Sequence, residues 1–358
     1  MRYIMRLAGL PHVVAAGATI AFGVHADAQV ERFTLNGAKV AVHNVAGRIT
    51  IEHGTGPGVV VEVTRGGVDA RRLALQQLEN AGRTSLCIMY PQEHIIYRPK
   101  QGAAAWNVST GDESVCRGGV KGIFGGRKIE VRSRGEGVEA WADVRILVPP
   151  GADLKVWDVA GEITAENVRA ALELDATAAR VSTHATTGAL HVNAESGDAR
   201  VIAHHGDLTI EAGSRDVKTD SVSAATMFSV DAGSGGVAGA GVETDAFRVK
   251  AGSGKVQFAG LSARRARIEA SAGDMTVGFV SRVDSLSAES GSGVITLRLP
   301  ATFGAEVEAQ TGSGEITSDF PVRPPLTKRG ELRGSIGDGH GRVTIDAGSG
   351  DIRLVRAK

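Results

Sequence analysis

The sequence predicts an all-β chain wound as a β-solenoid, and three observations carry that expectation. The first is a recurring phrase of apolar alternation, a glycine-rich turn, and a second apolar alternation. In its clearest copy Phe247, Val249 and Ala251 precede Gly252-Ser253-Gly254, and Val256 and Phe258 follow. Alternation with a period of two puts one side of each strand in a core. The second is a fixed period. The second glycine of the turn, or its equivalent, falls at Gly161, Ala179, Gly197, Arg215, Gly235, Gly254, Gly273, Gly293 and Gly314, in steps of 18 to 21 residues, and Gly350 marks a further copy. A coil this short cannot bury its own apolar face, so neighbours must stack. The third is that like residues return at like positions. Two residues after the marker stand Ala199, Val237, Val256, Met275, Ile295, Ile316 and Ile352; three before it stand Ala194, Ala232, Ala251, Ala270 and Ala347.

Parallel stacking explains that recurrence, each strand pairing with its equivalent in the next coil. Parallel crossovers are right-handed, so the expected form is a right-handed parallel β-helix. The rival is a β-sandwich, which also uses regularly spaced short strands but does not require so constant a period. The turn glycines fit either a positive φ or a close backbone approach.

In chain order, Arg2 and Arg6 precede a mainly apolar run from Leu7 to Val24, and Ala26-Asp27-Ala28 offers a cleavage site. Residues 1–28 therefore read as a signal peptide. An uncleaved anchor is the alternative, and Pro11 and His12 make it a poor span. No later stretch is long and apolar enough to cross a bilayer. Residues 29–148 read as an N-terminal β unit. In it Phe33 to Leu35, Val40 to Val42, Val59 to Val63 and Leu86 to Tyr90 are strands, and Gly47 to Ile51 is a degenerate turn phrase. Residues 69–81 fit a short helix or a strand with a polar loop. Periodicity vanishes over residues 92–126, which read as a long loop. Cys87 and Cys116 flank most of it and fit a disulfide in an exported protein; the alternative is two separate thiols. Asn107-Val108-Ser109 matches a glycosylation acceptor. Residues 149–358 read as the regular solenoid, interrupted by a Pro- and Gly-rich excursion at residues 321–341. Residues 342–355 supply the last coil, so the final Arg356-Ala357-Lys358 places charge at the exposed end of the stack.

Composition agrees with thin aliphatic coils: 48 glycines and 4% aromatic residues. The formal net charge is zero, which leaves no basic excess for nucleic acid.

The segment from Val144 through Pro149-Pro150-Gly151 to Ile163, followed by the Ala-Gly-Ser-Gly copies, resembles the bacterial adhesin-like family of exported β-strand-repeat proteins, a domain of unknown function. The stretches at residues 40–51 and 334–354 resemble it too. The resemblance covers most of the chain after residue 28. It implies a β-repeat fold and an adhesive role, and it carries no catalytic residues over.

Gly197-Asp198 and Gly206-Asp207 suggest a calcium β-roll, but that motif needs paired glycines and an Asp in every turn. His204 and His205, near His184 and His191, suggest a metal. Adjacent strand residues face opposite ways, so surface histidines are the expectation. Asp198, Asp216 and Asp220 are available to a polysaccharide-cleaving β-helix, which needs clustered carboxylates. Trp106, Trp141 and Trp157 lie outside the most regular coils. The Gly-Ser-Gly turns lack the strand-turn-helix context of a nucleophile elbow. The expectation is a non-catalytic exported envelope protein, periplasmic or on the cell surface, with no metal or cofactor, whose partner is an envelope protein or polysaccharide. The alternatives are a carbohydrate-active β-helix enzyme and a self-assembling envelope scaffold.

Overall fold

The computed structural model describes residues 30–80, 82–91, 93–98, 107–110, 116 and 129–357. The expected signal peptide lies outside them. They form a β-solenoid whose coils contribute to two hydrogen-bonded ladders, one made by strands leading into the glycine turns and one by strands leaving them.

The leading ladder stacks, in parallel, β6 (Arg83–Met89), β2 (Lys39–His43), β12 (Asp153–Asp158), β14 (Ala171–Ala176), β16 (Leu190–Ala194) and β18 (Leu208–Ala212). The last segments of β19 (Val217–Ala232), β20 (Val237–Ala251) and β21 (Val256–Ala270) continue it. The following ladder stacks β11 (Trp141–Val148), β3 (Ala46–His53), β13 (Ala160–Glu166), β15 (Arg180–Thr187) and β17 (Ala199–His205). The first segments of β19, β20 and β21 follow, then β22 (Met275–Phe279) and β24 (Ile295–Leu299). These ladders are parallel through the regular array, not antiparallel hairpins across two facing sheets, so the sandwich alternative fails.

Register explains the recurrence of residue classes. Leu154, Leu172, Leu190, Leu208, Phe228 and Phe247 are successive register partners, all buried. Each such side chain contributes about 1.5–3 kcal/mol by leaving water. Where the column turns aromatic, Phe228 stacks on Phe247 with ring centroids 5.0 Å apart, and Phe258 meets Phe247 edge-on at 4.9 Å. Gly239 makes room for that ring, since a Cβ there would lie 2.3 Å from it.

Stacking order departs from sequence order at both ends. β29 (Gly341–Ala347) and β30 (Ile352–Arg356) were expected to be the terminal coil. Instead β29 pairs on one side with β23 (Ser285–Ser290) and on the other with β25 (Ala305–Thr311). β30 lies likewise between β24 and β26 (Ile316–Ser318). The chain skips one layer, builds the next, and returns to fill the gap. Charge at Arg356 therefore does not guard an exposed end. The end is closed by the excursion at residues 321–341, whose β27 (Arg323–Lys328) and β28 (Glu331–Ile336) form an antiparallel hairpin on β25. Pro324 and Pro325 in β27 present no N–H to a further strand. At the other end β3 sits between β11 and β13, so the ladder runs unbroken across residues 148 and 149. β4 (Val59–Gly66) pairs antiparallel with β11 and with β1 (Val30–Leu35).

Residues 70–72 form a single 3₁₀ turn, and β5 (Ala74–Asn80) then pairs antiparallel with β6. The loop expected over residues 92–126 contains strands where it is described. β7 (His94–Ile96) and β8 (Asn107–Thr110) join β9 (Ile129–Arg132) and β10 (Val138–Glu139) in a separate four-stranded sheet. The glycosylation-type Asn107 lies in β8. These strands are two to four residues long and only Ile95, Ile96, Val131 and Val138 are seen buried, too few to raise a periodic signal.

Candidate binding site

The turn glycines named from sequence are structural, and the structure separates the two reasons offered for them. A Cβ on Gly197 would lie 1.8 Å from the Ala179 carbonyl oxygen; on Gly235, 1.8 Å from that of Arg215; on Gly254, 1.9 Å from that of Gly235. Gly273 meets Gly254 at 1.9 Å, Gly293 meets Gly273 at 2.1 Å, Gly350 meets Gly293 at 2.0 Å and Gly314 meets Gly350 at 2.2 Å. Close approach of the coil beneath is what excludes a side chain there. Gly161 faces the Gly47 carbonyl at 1.7 Å and also holds a φ of 146°. Positive φ is used in a different column, at the bend within the following ladder: Asn167, Ala185, Ala203 and Ser221 lie at φ 52–56°, and Gly241 and Gly260 continue the column.

Cys87 and Cys116 are joined as a disulfide, their Cα atoms 5.9 Å apart. Cys87 is the register partner of His43, which in turn partners Trp157, so the bridge lies over the outer side of the first coils. His43 is buried there, and burial, with Lys155 and Arg83 nearby, lowers its pKa to about 4. Of the other histidines, His184 and His205 are exposed and His191 is half-buried. His204 is not a surface residue. It is buried, with Nδ1 2.9 Å from the Thr186 hydroxyl. It partners Val222 in register, so it occupies a core column. Among the described residues no group of His, Cys, Asp and Glu is arranged to hold a metal. Asp198 pairs with Arg180 at 3.9 Å, Asp216 accepts a hydrogen bond from the Gly236 N–H, and Asp220 accepts one from the Ser221 hydroxyl.

The feature with the geometry of a binding site lies on the outer face of the following ladder. Outward positions there carry charge or polar groups in the early coils, as in the Arg48–Glu162 pair at 3.8 Å. In the coils of β20, β21 and β22 they shrink. Ala238 and Ala240 face Gln257 and Ala259, Gln257 faces Thr276, and Gly278 lies beside Ala259 where the register shifts. The loss of side-chain height opens a trough of about 650 Å³. Arg200, Ile202, Lys218 and Asp220 wall one end; Arg298 and Ala357 wall the other; exposed Val280 lies along its margin. Asp220 is the one carboxylate in the lining among the described residues.

This trough was missed in sequence. The signal was the Ala238-Gly239-Ala240-Gly241 run, at positions that carry Lys218 and Asp220 one coil earlier, and the Ala259-Gly260 run one coil later. Seeing a depression in them requires the register between coils.

A family description, Toastrack DUF4097, matches residues 27–355, on a fold whose coils and turn columns are those above. The chain belongs to the Toastrack family. As a Toastrack protein it shares the β-solenoid repeat. It matches no curated protein. A solved structure of a candidate cell adhesion protein from Clostridium sporogenes is similar at 12% identity, over 92% of this chain and 99% of that one, with a TM-score of 0.19. No helix among the described residues of this Toastrack chain is long and apolar enough to cross a membrane, a statement that does not bear on strands.

Proposed function

We propose that the protein is an exported, non-catalytic, adhesin-like interaction module of the cell envelope, and that the trough-bearing outer face is its contact surface. Family membership and the leader-like first 28 residues support that reading. The observation that carries it is the trough itself: an open, apolar-floored depression crossing six coils of one rigid ladder. Binding in it needs no moving part, because every strand beneath it is hydrogen-bonded on both sides. A glycosidase places two carboxylates about 5–10 Å apart across its substrate, and among the described residues this lining offers Asp220 alone.

Cosedimentation of the purified full chain with the envelope fraction of its source cell tests the reading. Binding should fall at least tenfold in an Ala259→Phe variant, which fills the trough from an exposed position. Equal binding by that variant would move the contact elsewhere, and deletion of residues 92–126 would then show whether the insert carries it. Turnover of an envelope or plant polysaccharide, lost on Asp220→Asn, would replace the whole reading with an enzyme.

A further inference from the structure

We infer that the trough binds a single-chain anionic amphiphile, a long-chain fatty carboxylate, with its carboxylate at Arg200 and Lys218 and its tail along the floor. This rests on the interaction-module reading above and names the class of ligand for that site.

Charge points to the head group. Arg200 and Lys218 are register partners on adjacent strands, about 4.8 Å apart in the backbone. Like charges directly opposite destabilise a sheet. Elsewhere on the solenoid, cations tend to face acids in the next coil: Arg180 faces Asp198, Lys250 faces Asp231, and Lys155 meets both Glu173 and Asp175 at 2.7 Å. Neither Arg200 nor Lys218 has an ion-pair partner among the described residues, and both are exposed at the mouth of the trough. A carboxylate between them would neutralise the repulsion and accept charge-assisted hydrogen bonds from both. Asp220 stands two residues along the strand from Lys218 and already accepts the Ser221 hydroxyl, so the ligand's anion belongs on the Arg200 side.

Shape points to the tail. The floor is Ala238, Ala240, Ala259 and Gly278, with Gln257 and Thr276 supplying its polar groups. It is about two alternate strand residues wide, roughly 7 Å, and five inter-strand steps long, roughly 24 Å. That admits one extended hydrocarbon chain and not two. At the far end the aliphatic stem of Arg298 can lie along the tail while its guanidinium stays in water. An acidic glycan is the poorer fit. It would need hydrogen-bonding groups along its length and aromatic faces beneath its rings, and the floor provides two such groups. An extended peptide is poorer again, since strand addition needs a free sheet edge and the backbone under the trough is already paired on both sides.

The test is calorimetric titration of the full chain with hexanoate, decanoate, dodecanoate and tetradecanoate, each below its micelle concentration, with oligogalacturonate as the glycan arm. Affinity should rise about two- to fourfold for each added methylene, the factor expected for partial to full burial of a CH₂. Arg200→Gln with Lys218→Gln should lower affinity about tenfold or more and leave the chain-length dependence intact. Ala259→Phe should abolish that dependence, with thermal unfolding confirming that both variants fold. No binding by any fatty carboxylate, affinity independent of chain length, undiminished binding by Ala259→Phe, or preference for oligogalacturonate would each overturn the inference. If fatty carboxylates fail while Ala259→Phe still weakens envelope binding, the ligand class falls and the interaction reading stands. If they bind as expected while envelope binding ignores Ala259→Phe, the ligand inference stands and the trough falls as the envelope contact surface.

Discussion

Between Leu208 and Phe279 the interior is apolar side chain on apolar side chain, with Thr219 and Thr244 as the buried polar residues. Between Lys39 and Asp158 the same kind of layer encloses polar groups. In the regular coils the residue three before the turn marker is Ala232, Ala251 or Ala270, each buried. At the equivalent place in the first coils stand Asn44 and Asp158, also fully buried. The Tyr90 hydroxyl reaches into this region, 3.0 Å from Asn44 Oδ1 and 2.9 Å from the Ala46 carbonyl, and accepts the Ala46 N–H at 3.3 Å. Asn44 Nδ2 donates to the Ala142 carbonyl at 3.1 Å. Burial pushes the Asp158 carboxyl well above the usual carboxylate range, the Val159 N–H opposing and Asp143 adding to the rise. The regular coils are thus specified by packing and close approach. The first coils are specified by a polar network that ties them to β6 and β11, strands from either side of the irregular insert.

The largest expected effect is in the regular coils. Gly254→Ala puts a methyl 1.9 Å from the Gly235 carbonyl oxygen, and Gly273 rests on Gly254 in turn. Neither coil can yield without breaking its ladder, so the cost should exceed about 3 kcal/mol. A fall of that size in the unfolding free energy, read from the shift of the urea midpoint, checks it. An unchanged midpoint would mean the coils are not in contact at the turn, and the contrast between packed and polar layers would lose its first half.

The second effect separates the regions by pH. His43 is held neutral by burial, with a pKa lowered to about 4. The unfolded chain takes up a proton at this residue below about pH 6.5 and the folded chain does not until about pH 4. Stability from this residue is therefore fully present above pH 6.5 and is lost as pH falls through that window, by about 3 kcal/mol at the lower end. Asp158 works with the opposite sign. Its raised pKa favours the folded state as the carboxyl protonates, so stability from it falls as pH rises above the usual carboxylate range. The clean measurement is the difference between the parent chain and His43→Leu across pH 7 to 4. The parent should lose stability relative to the variant as pH falls, and parallel curves would show that His43 is open to water.

How much of this contrast was readable beforehand differs by region. Period, strand pairing and the turns at Gly235, Gly254 and Gly273 were legible because each coil repeats the same local demand; that close approach and not positive φ calls for those glycines was not. The placement of β29 and β30 inside the stack was not. The apolar pattern of Val343, Ile345, Ile352 and Leu354 fits any layer equally well, and nothing local says which neighbour it will meet. His204 was misjudged because its polarity was set against strand alternation alone. The bend at Ala203 reverses the inward parity of the residues that follow, and the φ of 52° that causes it leaves no mark in an alanine. The trough was hidden for a related reason: Ala240, Ala259 and Gly278 are scattered in sequence and are neighbours only across the stacked coils.

A third effect tests the polar network. Tyr90→Phe removes the hydroxyl that serves Ala46 and Asn44, leaving buried backbone and amide groups without it. The cost should be about 1–3 kcal/mol, and protection of the Ala46 amide against hydrogen exchange should drop before that of amides in β18 or β20. Equal loss of protection in both regions would indicate that the first coils and the regular coils unfold as one unit, and that the network is no separate source of stability.

The smallest effect has the opposite sign and falls where the two regions meet. Ala203 holds a left-handed conformation that an alanine reaches only at about 1–2 kcal/mol, and the equivalent places two and three coils further on are Gly241 and Gly260. Ala203→Gly removes that strain and adds backbone freedom to the unfolded chain, which offsets roughly 0.5–1 kcal/mol of the gain. The variant should unfold at a slightly higher urea concentration than the parent. Gly241→Ala, where the added methyl would meet Ser221 at an ordinary contact distance of 3.7 Å, should lose about 1 kcal/mol through its positive φ, far less than Gly254→Ala. Two glycines thirteen residues apart would then differ severalfold in cost, because one relieves a dihedral and the other makes way for a carbonyl oxygen.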